Sequence, residues 1–252
     1  MAAPQARTSG FPTSGNGASS FHLWWSVPYG RLLSAAAVTL EVVEPPVVDR
    51  LVFWALQVSF VKPGGGGAHL GLQWNRRHPG GTAVNWGGYA PDGSLLSGSD
   101  SLLPSTPDDP NTRDLSWWPR RPYRLSIVRA DEQTAGGLFG WRGTVTDLEA
   151  GTEHVVRALW SPGEFLRGPV TWVESFQRCD DPSFAVRWSD AVVVDDRGER
   201  HRVDTMSADY QRVEAGGCSN TDASVDARGW VQRTNVERVN APGSRLMLPR
   251  GV

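Results

Sequence analysis

The chain has 252 residues, of which 39% are apolar, and a formal net charge of −2. This near-neutral charge argues against binding to nucleic acid or to an acidic membrane surface, and the sequence contains no apolar run of about 18 residues that could span a membrane. The apolar content is sufficient for the core of one large all-β domain.

The sequence predicts three regions along the chain. Residues 1–19 are rich in Pro, Ser, Thr and Gly and lack the basic start and apolar stretch of a signal peptide. They predict a flexible leader of the kind that follows a cleaved signal sequence. Residues 20–240 are expected to form one β-sandwich domain, and residues 241–252 a frayed tail.

Short β-rich or alternating runs dominate the chain, and no helical periodicity is visible. Residues 94–118 show no periodicity, which predicts a long irregular loop. Many strands with one apolar face indicate two packed antiparallel sheets, a jelly-roll sandwich. The predicted strands are 34–43, 51–61, 68–75, 82–89, 122–130, 139–148, 152–160, 170–178, 184–194, 200–206 and 229–239.

Two cysteines, Cys179 and Cys218, flank strand-like segments. An even number of cysteines in a β-rich chain predicts a disulfide and an oxidising, extracellular location. The alternative is two buried thiols in a cytosolic protein.

Three segments carry a resemblance to a known family: GAHLGLQW (67–74), TWVESFQRCDDPSFAVRWSD (171–190) and GGCSNTDASVDARGWVQRTNVER (216–238). They resemble a family of secreted bacterial proteins of unknown function. The predicted architecture is also similar to the concanavalin-A-like lectin and glucanase sandwiches. The lectin-like resemblance implies a concave sheet face that binds glycans, sometimes beside a calcium ion.

Twelve tryptophans are too many for all of them to be expected in one core, so some are expected to line a binding face. Amide, carboxylate and guanidinium groups that recognise sugar hydroxyls occur in the polar register of the strands. Ordinary solvated strand residues would give the same pattern. The candidate ligand-binding residues are Gln73, Asn75, Asn85, Trp86, Trp117, Trp118, Arg124 and Arg142, with Gln57 as a further member of the polar set.

Glu174 is the candidate catalytic residue. It shares a strand face with Trp172 and Phe176, an environment in which an unpaired carboxyl would have a raised pKa and could act as a general acid. The alternative is a structural carboxylate paired with Arg142 or Arg187. Glu174 and Arg142 are expected on the same sheet face as Gln73 and Asn75. No second carboxylate of comparable context completes a glycosidase pair, and motifs for esterase, zinc protease and nucleotide chemistry do not occur.

Asp108, Asp109, Asn111 and Asp114 cluster in the predicted loop. Hard oxygen ligands in an irregular segment suit a structural Ca²⁺, although similar clusters are common in plain turns. No other cofactor is indicated.

Taken together, these features favour an extracellular carbohydrate-binding protein that recognises a polysaccharide or glycan by stacking on tryptophan. An enzyme that degrades polysaccharide through Glu174 and a structural or protein-interaction module are the alternatives. An aromatic platform without an isolated acid at its centre indicates a binder, whereas an isolated acid in a cleft indicates an enzyme.

Overall fold

The computed structural model describes residues 7–106, 109–133 and 136–249. Within these ranges the regular structure is antiparallel strands and two single 3₁₀ turns, Pro79–Gly81 and Val213–Ala215, with no α-helix. The all-β class is therefore confirmed. The strands are β1 (Ser19–Trp25), β2 (Leu33–Glu44), β3 (Val52–Val61), β4 (Gly67–Trp74), β5 (Thr82–Tyr89), β6 (Ser105–Thr106), β7 (Asp109–Asp114), β8 (Pro122–Gln133), β9 (Phe139–Asp147), β10 (Thr152–Ser161), β11 (Phe165–Ser175), β12 (Ala185–Asp195), β13 (Arg200–Arg202), β14 (Thr205–Tyr210), β15 (Thr221–Asp226), β16 (Gly229–Thr234) and β17 (Arg245–Met247).

The strands form two layers. The first, sheet A, has the order β17–β14–β1–β11–β3–β4–β5–β7–β6. The second, sheet B, has the order β10–β9–β8–β2–β12–β16–β15, with β13 paired to the end of β12. One bridge between Leu33 and Leu166 joins the layers at their margin. The predicted two-sheet sandwich is the observed architecture.

Tryptophan fills much of the space between the two sheets. Five indole rings are fully buried, and four of their N–H groups donate to oxygen atoms of the described residues. Since a buried indole N–H needs an acceptor, these bonds fix the orientation of the rings. The five are Trp54, Trp86, Trp141, Trp188 and Trp230.

One contact shows how closely the layers meet. Trp86 of sheet A donates its indole N–H to the carbonyl of Trp141 in sheet B at 3.2 Å. Gly143, also in sheet B, lies under the Trp86 ring, and a Cβ atom there would be 2.8 Å from the indole Cγ. The absence of a side chain at Gly143 is therefore a packing requirement.

The ends of the described chain are held against the sheets. The Thr8 backbone N–H donates to Ser219, and the Thr13 N–H donates to the carbonyl of Gly216. Within the predicted leader, the described residues 7–18 thus make hydrogen bonds to the rest of the chain, and residues 1–6 lie outside the described residues. In the region predicted as a tail, β17 pairs with β14, while residues 250–252 lie outside the described residues. The division into leader, domain and tail stays a prediction.

Cys179 and Cys218 form a disulfide, as predicted, with a Cα–Cα distance of 5.5 Å. The bond ties the segment after β11 to the segment before β15, and the Cys179 N–H donates to the carbonyl of Gly10. The bridge thereby also anchors the N-terminal segment.

We expect Gly143→Ala to lower the free energy of unfolding by about 1–3 kcal/mol, because the added methyl group collides with a rigid, buried ring. Urea denaturation of the variant and of Gly64→Ala measures this effect. Gly64 has open space where a Cβ atom would stand, so it controls for the general effect of replacing a loop glycine. Equal midpoints for the two variants would contradict the packing argument.

Candidate functional site

The side of sheet A that faces away from sheet B, here called the outer face, carries an unusual set of side chains. Strand alternation puts Trp54 and Leu56 in the core and turns Phe53, Ala55 and Gln57 outward. The strand register then places the outward residues in rows across the sheet. One row is Ser20, Glu174, Phe53, Gln73, Ala83 and Asp114; the next is His22, Trp172, Ala55, Gly71, Asn85 and Thr112; the third is Trp24, Val170, Gln57, His69 and Gly87.

Aromatic rings form a continuous strip on this face. Trp172 contacts Phe53 edge to face at a centroid distance of 5.0 Å, and His69 contacts Phe53 at 5.5 Å. His22 stacks on Trp24 at 6.3 Å, and Tyr89 lies 6.3 Å from His69 at the other end. The strip therefore crosses β1, β11, β3, β4 and β5. Its two ends are open to solvent, because Trp24 is 43% and Tyr89 is 49% exposed.

The centre of the strip is closely packed although no third layer covers it in the described chain. Phe53, Ala55, Val170 and Trp172 form a small apolar cluster, and all four residues are buried. Ala55 and the neighbouring Gly71 have little or no side chain, so the surface of the outer face is recessed at these two positions between the larger rings.

Glu174 lies at the edge of this strip beside Phe53. Burial raises the pKa of its carboxyl group, and a hydrogen bond from the Asn16 amide at 2.9 Å opposes that shift only in part. Among the described residues no cation pairs with it. Arg187 bonds instead to Glu41 and Asp226 on sheet B.

His69 is a neutral imidazole in the fold. Burial lowers its pKa from 6.5 to about 4, and the negative charge of Asp109 opposes the shift without cancelling it. Burial also lowers the pKa of His22, against the charge of Asp209. Both shifts in pKa favour the neutral imidazole.

The amide side chains of the face are held in defined orientations. Gln57 accepts a hydrogen bond from the indole N–H of Trp172 through Oε1 at 3.1 Å, so its Nε2 group does not take part in this contact. The Gln73 Oε1 accepts from Asn75 at 3.1 Å. Asn85 donates to the Thr112 hydroxyl at 2.8 Å, and its buried Oδ1 has no partner among the described residues.

Two cavities open on this face at opposite ends of β3 and β4, the smaller one beside Tyr89. A cavity of about 690 Å³ is lined by charged and polar groups that include Arg50, Arg77, Gln73, Asn75 and Asp109. A second cavity, of about 240 Å³, is lined only by uncharged residues. Its lining is Gln57, Ser59, Gly66, Gly67, Ala68, His69 and Tyr89.

The structure separates several of the predicted ligand-binding residues from this face. Trp86 is 0% and Trp117 is 3% exposed, so both belong to the core and cannot stack on a ligand. Trp118 is exposed, but it lies beside Arg121 and the β9–β10 end of the molecule. Gln73, Asn75 and Asn85 are on or beside the outer face as predicted.

The two predicted arginines belong to the opposite sheet. Arg142 of β9 and Arg124 of β8 point away from the core on the far side of sheet B, and Arg124 donates to the carbonyl of Asp190. The expectation that Arg142 shares a face with Glu174 and Gln73 is therefore wrong. Alternation within one strand identifies a polar side but not the sheet to which the strand belongs.

The residues suggested for calcium have other partners. Asp109 accepts from the Asn111 backbone and the Thr112 hydroxyl, and Asn111 accepts from the guanidinium of Arg157. Asp114 bonds to His78. Asp108 lies outside the described residues. Calcium at these positions stays a prediction.

Sequence reasoning missed most of the aromatic strip. Trp24 and His22 lie in β1, which was not predicted as a strand although Phe21, Leu23 and Trp25 alternate with them. That alternation is the signal that could have located them.

No protein-family model matches the chain, and no curated protein sequence is significantly similar to it. One similar solved structure is a Scytalido-glutamic peptidase with a peptide-based transition-state analogue, with a TM-score of 0.48 and 14% identity over 92% of this chain and 100% of that chain. Another is SCP-B, a member of the eqolisin family of peptidases, in a complex with the tripeptide Ala-Ile-His. It has a TM-score of 0.48 and 14% identity over 89% of this chain and 100% of that chain.

These similar proteins are peptidases and not lectins or glucanases. The strand pairings of this chain support the resemblance to lectin and glucanase sandwiches only as far as the β-sandwich architecture. A similarity of this degree assigns no activity and no residue roles to the present chain.

We expect the free energy of unfolding to fall as the pH drops from about 6.5 to about 4. In this range His69 is protonated in the unfolded chain but remains largely neutral in the folded state. At pH 4 this difference in protonation lowers the free energy of unfolding by roughly 3 kcal/mol. Denaturation of His69→Gln at several pH values should show a flatter profile, with His154→Gln as the control. Parallel profiles for the wild type and the His69 variant would contradict the burial of a neutral imidazole.

Proposed function

We propose that this protein is a hydrolase that binds an extended polymer across the outer face of sheet A and uses Glu174 as its acid. The observation that carries the proposal is the environment of Glu174. Its carboxyl is desolvated beside aromatic rings and has a raised pKa, and among the described residues it has an amide partner but no cation. A structural carboxylate would be expected to have the arginine partner that Glu174 lacks.

The chemistry follows from this protonation state. A carboxylic acid that stays protonated to higher pH than an ordinary glutamate can donate its proton to the leaving group as the bond of the polymer breaks. Water then adds to the other fragment, and the proton that it releases restores the acid form of Glu174. Asp109 and Gln73, which line the larger cavity, are further polar groups available to a substrate on this face.

A polysaccharide is the first candidate substrate, because the aromatic strip offers flat surfaces for sugar rings and the amides offer hydrogen bonds for hydroxyl groups. The disulfide is compatible with an oxidising compartment, so we propose a secreted protein. Among the described residues no helix is long and apolar enough to cross a membrane.

We expect Glu174→Gln to reduce the rate of polymer cleavage at least about a hundredfold, because the amide cannot donate the catalytic proton. Polysaccharides and polypeptides are incubated with the protein, and new reducing ends or new amino groups are measured across pH. Wild-type activity should decline as the pH rises through the raised pKa of Glu174. Glu214→Gln alters an exposed glutamate in a 3₁₀ turn and serves as the control.

Unchanged cleavage in Glu174→Gln would contradict the assigned role of Glu174. Cleavage of polypeptides alone would keep the role of Glu174 and exclude polysaccharide as the substrate.

Binding without catalysis is the second candidate function, and the aromatic strip is the observation that favours it. Exposed Trp24, packed against His22, is suited to stack on a ligand ring. The aromatic strip would serve a binding protein as well as an enzyme. The role of Glu174 in cleavage is what distinguishes the two candidate functions.

We expect Trp24→Ala to weaken polymer binding by about 1–3 kcal/mol, because the ring is an exposed end of the strip. Trp118→Ala is the matched control, since Trp118 has a similar exposure of 55% but lies away from the outer face. Retention on immobilised polysaccharide measures both variants. A larger loss for Trp118→Ala would move the binding surface to the β9–β10 end.

A further inference from the structure

The small cavity at the β3–β4–β5 end of the outer face differs from its surroundings in having no charged lining residue. The larger cavity, at the opposite end of β3 and β4, includes Arg50, Arg77, Asp49 and Asp109. An extended ligand that spans both cavities would therefore place an uncharged unit at the small one. At about 240 Å³ the small cavity lies below the roughly 300–1,000 Å³ that holds drug-sized ligands, which suits a single ring.

Three polar side chains converge in this cavity with hydrogen-bonding capacity unused by the described residues. Gln57 is oriented by Trp172: an indole can only donate, so Oε1 faces the indole and the two N–H bonds of Nε2 are left for a ligand. His69, a neutral imidazole, has one donor and one acceptor nitrogen, and neither has a hydrogen-bond partner within the described chain. The Tyr89 hydroxyl adds a group that both donates and accepts.

One of these residues, Tyr89, provides the face of an aromatic ring, which is tilted by 43° from the His69 ring. The Tyr89 ring is half exposed and lies 6.3 Å from His69, which in turn contacts Trp172 at 5.8 Å. Donors, acceptors and an aromatic surface together match a pyranose ring, which has hydroxyl groups around its edge and C–H groups on its faces. An anionic sugar suits the cavity less well, because its lining contains no cation and the negative charge of Asp109 acts at His69.

We propose that the cavity lined by Gln57, Ser59, His69 and Tyr89 is a subsite for one uncharged sugar ring. The proposal rests on the proposed function, because it names the substrate class of the same face. The Gln57 amide and the His69 imidazole hydrogen-bond to hydroxyl groups of the sugar, and Tyr89 stacks on its face.

The test is an NMR titration of the intact protein with small probes, which requires no hydrolysis. The probes are the methyl glycosides of glucose, galactose and mannose, the charged methyl glucuronide, and N-acetylglycinamide as a peptide-like compound. We expect at least one neutral glycoside to shift the side-chain signals of Gln57 and His69 in a saturable way. Methyl glucuronide should bind more weakly than the neutral glycosides.

Two variants test the residues without removing their packing. Gln57→Glu keeps an oxygen acceptor for Trp172 but removes the donors, and His69→Phe keeps the ring contacts but removes both nitrogens. Each should weaken binding about tenfold, the effect of one lost hydrogen bond of ordinary strength. Tyr89→Ala should also weaken binding, whereas Tyr29→Ala, which alters a fully exposed tyrosine outside the cavity, should leave it unchanged.

The proposal is overturned if no neutral glycoside binds, if N-acetylglycinamide binds and the glycosides do not, or if Gln57→Glu binds as the wild type does. These results are separate from those for Glu174. Loss of cleavage in Glu174→Gln with no sugar binding at Gln57 would retain the hydrolase and reject the subsite.

Discussion

Tryptophan packing between sheet A and sheet B determines how the two layers sit on each other. Trp86 spans the interface, with its N–H on the Trp141 carbonyl and its ring over Gly143. Each buried aromatic ring removes about 150–250 Å² from water, and an indole N–H buried without an acceptor would be costly. The rings therefore fix both the separation of the sheets and their lateral position.

This packing also decides what each sheet presents on its outer side, because successive residues of a strand point to opposite faces. Once Trp54 and Leu56 are in the core, Phe53 and Gln57 must face outward. The same constraint on β1, β11 and β4 produces the aromatic strip. Rings that would ordinarily fill a core are thus placed on an outer face, where they bury one another and leave Trp24 and Tyr89 open to solvent.

The outer faces of sheet A and sheet B differ in whether their charged side chains are paired with opposite charges. On sheet B, Arg187 bonds to Glu41 and Asp226, and Arg228 also reaches Glu41, so the charges neutralise one another. On sheet A, Glu174 lies among rings and amides without a cation among the described residues. A carboxyl group is costly to bury in its charged form, so its position on this face favours the protonated acid. This contrast is the basis on which we propose sheet A as the functional side.

The sequence by itself determined the all-β class, most strand positions, the disulfide between Cys179 and Cys218, and the outward amides Gln73 and Asn85, because alternation and turn chemistry are local signals. It did not reveal β7, an almost wholly polar strand read as loop, or the core position of Trp86 and Trp117. Only the tertiary structure decided which strands are neighbours and which face of each is covered. His22 and Trp172 are adjacent through pairing of β1 with β11, strands far apart in the chain, and no local periodicity encodes such a contact.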